Sequence, residues 1–289
     1  MSILSIRFTL RVATSNDLRK TSYIDRLPSF SQFTSQVEIS APGEAILSTV
    51  TLGEGRLADI SVEGHSYFEN GIVPHSRYSF SDMDMISSPV FGDVTATLAL
   101  CSTTEGKFNC QNMKDKICLV ERIGNQGDTF PEIDAVRACG NAGASAVIVY
   151  SNAELPGLQN PFLVDEEDEF HLVSVSVDRS TGQALAAQVG STVTISNTDN
   201  EDYEYYNGTS MATPHASGIA TLVWSYHPEC SAAQIRVALD ATAEDLQAPG
   251  RDIYTGFGLI NAPAAKAFLD VSCDGPVDGP FSTRVNDEL

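Results

Sequence analysis

The apolar positions of the chain fall into short continuous runs, with stretches of helical spacing between them. Lys116-Ile-Cys-Leu-Val-Glu-Arg122, Ala144-Ser-Ala-Val-Ile-Val-Tyr-Ser151 and Leu172-Val-Ser-Val-Ser-Val177 predict three buried strands. Between the first two lie a Gly124-to-Gly127 loop and then Ile133, Val136, Cys139 and Ala142 at roughly helical intervals. Thr181 to Val189 predicts a second helix, and Ser191-Thr-Val-Thr-Ile195 a closing strand. Strand, helix, strand with small residues at the crossings predicts a compact α/β unit. Upstream, Val37, Ile39 and Ala41 alternate as one face of a strand that Pro42-Gly43 ends in a turn, and Ile46 to Val50 predicts another short strand. Downstream, Ile219, Ala220, Leu222, Val223 and Trp224 predict the buried body of a helix. Ser231-Ala-Ala-Gln234 reads as a capping box opening an amphipathic helix with Ile235, Val237, Leu239 and Ala241. In residues 1–20 only Arg11-Val-Ala-Thr-Ser15, as a strand end before a turn at Asn16-Asp17, suggests an element.

One stretch carries chemistry: Asn207-Gly-Thr-Ser-Met-Ala-Thr-Pro-His-Ala-Ser-Gly218. It sets Ser210 just after Gly208 and just before a helix, with Pro214 expected in the first turn, where a missing N–H costs nothing. A backbone N–H there sits at the positive end of the helix and favours an oxyanion. A Gly-Thr-Ser tripeptide alone would be an ordinary capped turn. The longer string, Gly208-Thr-Ser-Met-Ala-Thr-Pro-His215 followed by Gly218, resembles the nucleophile segment of the subtilisin-like serine proteases, with Ser210 as attacking residue. Gly218 is then expected to permit close packing beneath the site. By the same resemblance His215 is a packing residue of the helix and not the catalytic base.

The resemblance covers about 28–268. Ser29-Phe-Ser-Gln-Phe-Thr-Ser-Gln-Val-Glu-Ile-Ser-Ala-Pro-Gly43 is similar to the subtilisin segment that precedes the nucleophile, and Gly256-Phe-Gly-Leu-Ile-Asn-Ala-Pro-Ala-Ala265 to the turn and final helix beyond it. Lys116 to Arg122 with Ala138-Cys-Gly-Asn-Ala-Gly-Ala-Ser-Ala-Val-Ile-Val-Tyr150 resembles the protease-associated domain inserted in large secreted subtilases. The expected fold class is therefore α/β: a partial subtilisin-like parallel-sheet core with an inserted α/β protease-associated domain. Expected boundaries are 1–58 for the first part of the core, 59–196 for the insert, 197–270 for the core with the nucleophile helix, and 271–289 for a tail. The insert, by resemblance, selects substrates or partners and does no catalysis. Tyr203, Tyr205 and Tyr206 read as strand packing near the return to the core.

A serine hydroxyl needs a base, itself held by a carboxylate. In the resembled family the order is Asp, His, oxyanion Asn, then Ser, and the first three are expected to precede Ser29. This chain has no Asp-Thr-Gly, His-Gly-Thr or early Ala-Gly-Asn segment, so only Ser210 carries over. The expectation is a serine endopeptidase acting on peptide or protein substrate through an acyl-enzyme, with the isolated chain nearly inactive. The alternatives are a non-catalytic binding or scaffold protein on a protease remnant, and a new triad using His65, His75, His171 or His227.

Composition narrows this reading. With 42% hydrophobic and 19% charged residues the chain is globular, and no apolar run is long enough to span a membrane. A net charge of −21 repels phosphates and excludes nucleic acid as a partner. The acidic run Asp165-Glu-Glu-Asp-Glu169 suggests a solvated loop, with a calcium ion as the alternative; no other cofactor is implied. Cysteines 101, 110, 118, 139, 230 and 273 lack CxxC metal spacing and suggest disulfides and an oxidising, extracellular setting. Pairing within each apparent structural unit gives Cys101–Cys110, Cys118–Cys139 and Cys230–Cys273; six buried free thiols is the alternative. The N-terminal stretch makes a poor secretory signal, and Asn286-Asp-Glu-Leu289 is near a retention tetrapeptide that reads as coincidence. Asn207-Gly-Thr209 is formally a glycosylation sequon, discounted because a glycan there would obstruct the serine.

Overall fold

Runs of alternately facing apolar residues have a structural counterpart in the computed structural model, which describes 8–11 by their backbone and 31, 34–81, 84–124, 132–158, 162–246 and 248–276 in full. In chain order its elements begin β1 (Phe8–Arg11), β2 (Ile39–Pro42), β3 (Ile46–Thr49), β4 (Gly55–Val62), β5 (His65–Ser66), β6 (Val73–Pro74), β7 (Ser76–Ser81) and β8 (Asp84–Ser87). They continue with β9 (Gly92–Thr104), β10 (Lys107–Asn109), β11 (Ile117–Glu121), α1 (Glu132–Asn141), β12 (Ala146–Tyr150), β13 (Phe162–Val164), β14 (Val173–Val177) and α2 (Arg179–Ala186). The last are β15 (Thr192–Glu201), β16 (Tyr203–Tyr206), α3 (Thr209–Tyr226), α4 (Ala232–Ala241) and α5 (Ala262–Val271). The fold is mixed α/β. No described helix is long and apolar enough to cross a membrane.

Two compact units divide the chain: one is the described part of 45–206, the other joins residues up to Glu44 to those from Asn207 onward. The division falls outside the borders expected at 58/59 and 196/197. β4 and β15 each run across one of those borders and pair with each other from Gly55 to Val62, so the ladder carries 45–58 and 197–206 into the same unit. The tail border at 270/271 is likewise crossed, by α5 and by the bridge from Cys273 to Cys230.

In the 45–206 unit a 9-stranded sheet runs β5-β4-β15-β9-β11-β12-β14-β6, with β10 paired to β9. The segment β9-β11-β12-β14 is parallel, and the strands outside it are antiparallel. Parallel strands covered on both faces read as continuous apolar runs. Ile117, Leu119, Ala146 and Ile148 face the layer that includes Leu185 of α2. Cys118, Val120, Val147 and Val149 face the layer that includes Ala135, Val136 and Cys139 of α1. The disulfides Cys101–Cys110 and Cys118–Cys139 lie in the α1 layer. The strand β9, parallel to β11 and antiparallel to β15, has no counterpart in the elements read from sequence, although Val94, Ala96 and Leu98 alternate with Thr95 and Thr97. β16 pairs antiparallel with β3; of its tyrosines only Tyr205 is buried.

Buried polar clusters lie among the described residues of this unit. Arg77, 2% exposed, donates to Asp165 Oδ2 and Asp168 Oδ1, both at 2.7 Å, and to the Ser88 hydroxyl at 2.6 Å. Its guanidinium holds the Asp168 carboxyl below the usual range. His75 lies between two hydroxyls, Nδ1 at 2.8 Å from Ser174 Oγ and Nε2 at 2.7 Å from Ser176 Oγ. Burial pushes its pKa down to about 3, so the ring is neutral in the folded chain. An unfolded histidine takes up its proton near pH 6.5, so stability falls as pH drops from about 6.5 toward 3. His75→Gln is expected to reduce the loss between pH 7 and pH 4 by on the order of 3 kcal/mol, measured by urea unfolding at each pH. Equal acid sensitivity in both proteins would contradict the assignment.

The other unit packs α3, α4 and α5 around β2, whose Ile39 and Ala41 join Ala212, Ala216, Val223, Ile235, Ala238, Phe268 and Leu269 in one core. β2 pairs in parallel with β1. The 256–260 segment runs beside it: Ser40 N donates to Gly258 O and Ile260 N to Ser40 O. A side chain at Gly256 or Gly258 would strike the backbone of Glu38 or Glu244, and both residues have positive φ. The capping box at Ser231 and Gln234 is formed, with Ser231 N donating to Gln234 Oε1 at 2.9 Å. Glu38 accepts from Arg236 Nε of α4, one turn before Asp240. Burial, with the Glu38 charge beside it, pushes Asp240 up to about 9. A carboxyl that holds its proton more tightly when folded lends stability that is lost as pH rises from about 4 toward 9. Asp240→Asn is therefore expected to flatten the fall in Tm between pH 5 and pH 9; a parallel fall in both proteins would contradict it.

Candidate functional site

Ser210 is the second residue of α3, behind the cap residue Gly208, whose carbonyl accepts from Met211 N at 3.0 Å and Ala212 N at 3.3 Å. Gly208 N in turn donates to Gly43 O at 2.9 Å, fastening the nucleophile turn to the Pro42-Gly43 turn that ends β2. Met211 and Ala212 thus spend their amides on the helix, whereas those of Thr209 and Ser210 have no acceptor among the described residues. An unspent N–H at the positive end of an 18-residue helix can receive an oxyanion. The Ser210 side chain is exposed, and among the described residues nothing hydrogen-bonds to it.

Three expectations about this helix are corrected. Pro214 is not in the first turn: α3 starts at Thr209, so Pro214 sits inside it, and its missing N–H leaves the Ser210 carbonyl without the usual donor four residues on. The apolar run is not a buried body throughout. Val223 is buried, but Leu222 is 51% and Trp224 41% exposed. Nor does Gly218 mark a tight contact, since beyond its chain neighbours and its own helix backbone no described atom lies within 4 Å of where its Cβ would stand. The last two share one cause: among the described residues, the core is packed against the face bearing Ala212, Ala216 and Val223.

All five histidines lie within the described residues. His215 is in α3, and its Nδ1 is 2.8 Å from the Met211 carbonyl, a helix-packing position. His227 caps the far end of α3, about 25 Å from Ser210 at 1.5 Å per residue, between Glu229 and Asp270. His65, His75 and His171 belong to the other unit, where His75 has both ring nitrogens engaged and His171 Nε2 is 2.9 Å from Asp168 O. The new triad is thus not assembled around Ser210 by the histidines of its own unit. In the acidic run, Asp165 and Asp168 are committed to Arg77, while Glu166, Glu167 and Glu169 are exposed.

A serine with a free amide at a helix N-terminus suits acyl transfer, and comparison with known proteins is decisive on the family. The model of the subtilase family matches residues 104–258. The chain is a subtilase. Among curated subtilases it is 33% identical to subtilisin DY of Bacillus licheniformis over 141 residues, 46% of each chain. It is 52% identical to subtilisin E of Bacillus subtilis (strain 168) over 63 residues, 22% of this subtilase and 16% of that one. The crystal structure of the psychrophilic subtilisin-like protease Apa1 from the Antarctic psychrotroph Pseudoalteromonas sp. AS-11 superposes with a TM-score of 0.88 at 58% identity. That superposition covers 94% of this subtilase and 60% of Apa1. The chain therefore spans less than two thirds of the length of each of these relatives.

Proposed function

We propose that this subtilase is a serine endopeptidase that hydrolyses peptide bonds through an acyl-enzyme on Ser210. The observation that carries the reading is the position of that serine at the N-terminus of α3, its hydroxyl exposed and, among the described residues, both hydroxyl and amide without a partner. Ser210 Oγ attacks the scissile carbonyl, and the oxygen that gains charge is received by the Ser210 N–H. The proton leaves to an imidazole base held by a carboxylate. That pair, and an asparagine completing the oxyanion site, come from sequence outside the described residues. No step runs through a metal. The 45–206 unit acts as a protease-associated domain that selects polypeptide partners, and the three disulfides suit a secreted protein.

A second reading, a non-catalytic binding protein, is favoured by the absence of any described partner for Ser210. The nucleotide sequence on the 5′ side of the Met1 codon separates the two. An in-frame extension carrying Asp, His and Asn segments of the subtilase pattern is expected; a stop codon or unrelated sequence there would overturn the peptidase reading in favour of the binding one.

A further inference from the structure

Four cysteines of the 45–206 unit converge from four different places: Cys101 on β9, Cys110 just after β10, Cys118 on β11 and Cys139 on α1. They form two disulfides, Cys101–Cys110 and Cys118–Cys139, and all four sulfurs lie within 4.8 Å of one another. A disulfide by itself needs only two neighbours. Bringing two bridges together places four sulfurs in a common volume, three of them anchored on the sheet and α1 and the fourth, of Cys110, on the segment just after β10. A zinc-class ion bound by four thiolates at about 2.3 Å sets its ligands about 3.8 Å apart. The unbonded pairs thus need to close by at most about 1 Å, while the bonded pairs part. Cys101, Cys118 and Cys139 are buried and Cys110 is half-buried, beside Met113, Val120, Ala135, Val136 and Leu163. That shell excludes water from three sulfurs and leaves the fourth as the route of entry.

We propose that the reduced form of this unit holds one zinc-class divalent ion on Cys101, Cys110, Cys118 and Cys139, so that metal and disulfides are alternative locks on the same core. Two equivalents of a two-electron reductant, such as a phosphine or dithiol, convert the two disulfides into four thiols. Metal binding then releases four protons and forms four metal–sulfur bonds. Two equivalents of a low-molecular-weight disulfide reverse this: each takes two electrons and leaves as two thiolates, two protein disulfides form, and the ion departs. The bridge Cys230–Cys273 lies in the other unit and supplies an internal control. The inference stands apart from the proposed peptidase chemistry, which uses none of these residues.

The test is cobalt titration of the full 289-residue chain, reduced anaerobically with a phosphine. One equivalent of Co2+ is expected to bring up the visible bands of a tetrahedral cobalt–thiolate site and to be displaced by one equivalent of Zn2+, whereas the oxidised chain takes none. Cys118→Ser is expected to weaken cobalt binding on the order of 100-fold, and a Cys230→Ser/Cys273→Ser chain to retain it. Absence of the bands from the reduced chain, folded or unfolded, would overturn the proposal. So would bands that survive Cys118→Ser unchanged or vanish in the Cys230→Ser/Cys273→Ser chain.

Discussion

Purified residues 1–289 are expected to hydrolyse a peptide no more than about 10³–10⁴-fold faster than water does, the residue of catalysis that a serine-protease site keeps when a triad member is missing. The hydroxyl of Ser210 is a poor nucleophile at neutral pH without a base in hydrogen-bond reach. Of the histidines in its own unit, His215 is engaged with Met211 O and His227 stands at the opposite end of α3. A polypeptide extended to carry the base, its carboxylate and the oxyanion asparagine is expected to gain a factor of about 10⁶, and Ser210→Ala to remove that gain. The scale is the one measured in subtilisin itself, a relative of this chain. Initial rates on a fluorogenic peptide measure all three proteins. Turnover by 1–289 that Ser210→Ala abolishes would mean that a base is already present and that the account of the site is incomplete.

Removing the Cys230–Cys273 bridge is expected to destabilise the unit containing α3 by about 4 kcal/mol, from the loop of 43 residues that it closes in the unfolded chain. The bridge joins the turn after α3 to the turn after α5, and Cys230 packs in the same core as Ala212 and Ala216. Cys230→Ala with Cys273→Ala removes the cross-link while keeping small apolar groups in place. Denaturant unfolding compares the double variant with the parent chain. A loss below about 1 kcal/mol would show that the contacts among α3, α4 and α5 close this loop without the bond.

Local patterns were legible in the sequence where physics acts over a few residues. The parallel strands β11 and β12 read as apolar runs because both faces are covered, β14 reads as a valine-rich strand, and the cap at Ser231 needs only Gln234. The turn around Ser210 is equally local. What escaped depended on distant partners. The role of Asp165 is set by Arg77, 88 positions away, so the acidic run read as solvated and only its partnership with the guanidinium shows why Asp165 is buried. The burial of His75 is hidden in the same way, because Ser174 and Ser176, which satisfy its ring, are about a hundred residues on. β9 was missed because threonines interrupt its apolar positions, although that alternation is the signature of a half-buried strand. Leu222 and Trp224 differ in the other direction: apolar character predicts burial only where a packing partner arrives, and the described residues leave them 51% and 41% exposed.

The claim that Ser210 is the nucleophile is tested most directly by treating the protein purified from its own cells with a fluorophosphonate and mapping the adduct by peptide mass spectrometry. The expected result is one phosphonylated serine, Ser210, with peptidase activity lost in proportion to labelling. Activity that persists with Ser210 fully modified, or an adduct confined to another residue, would contradict it.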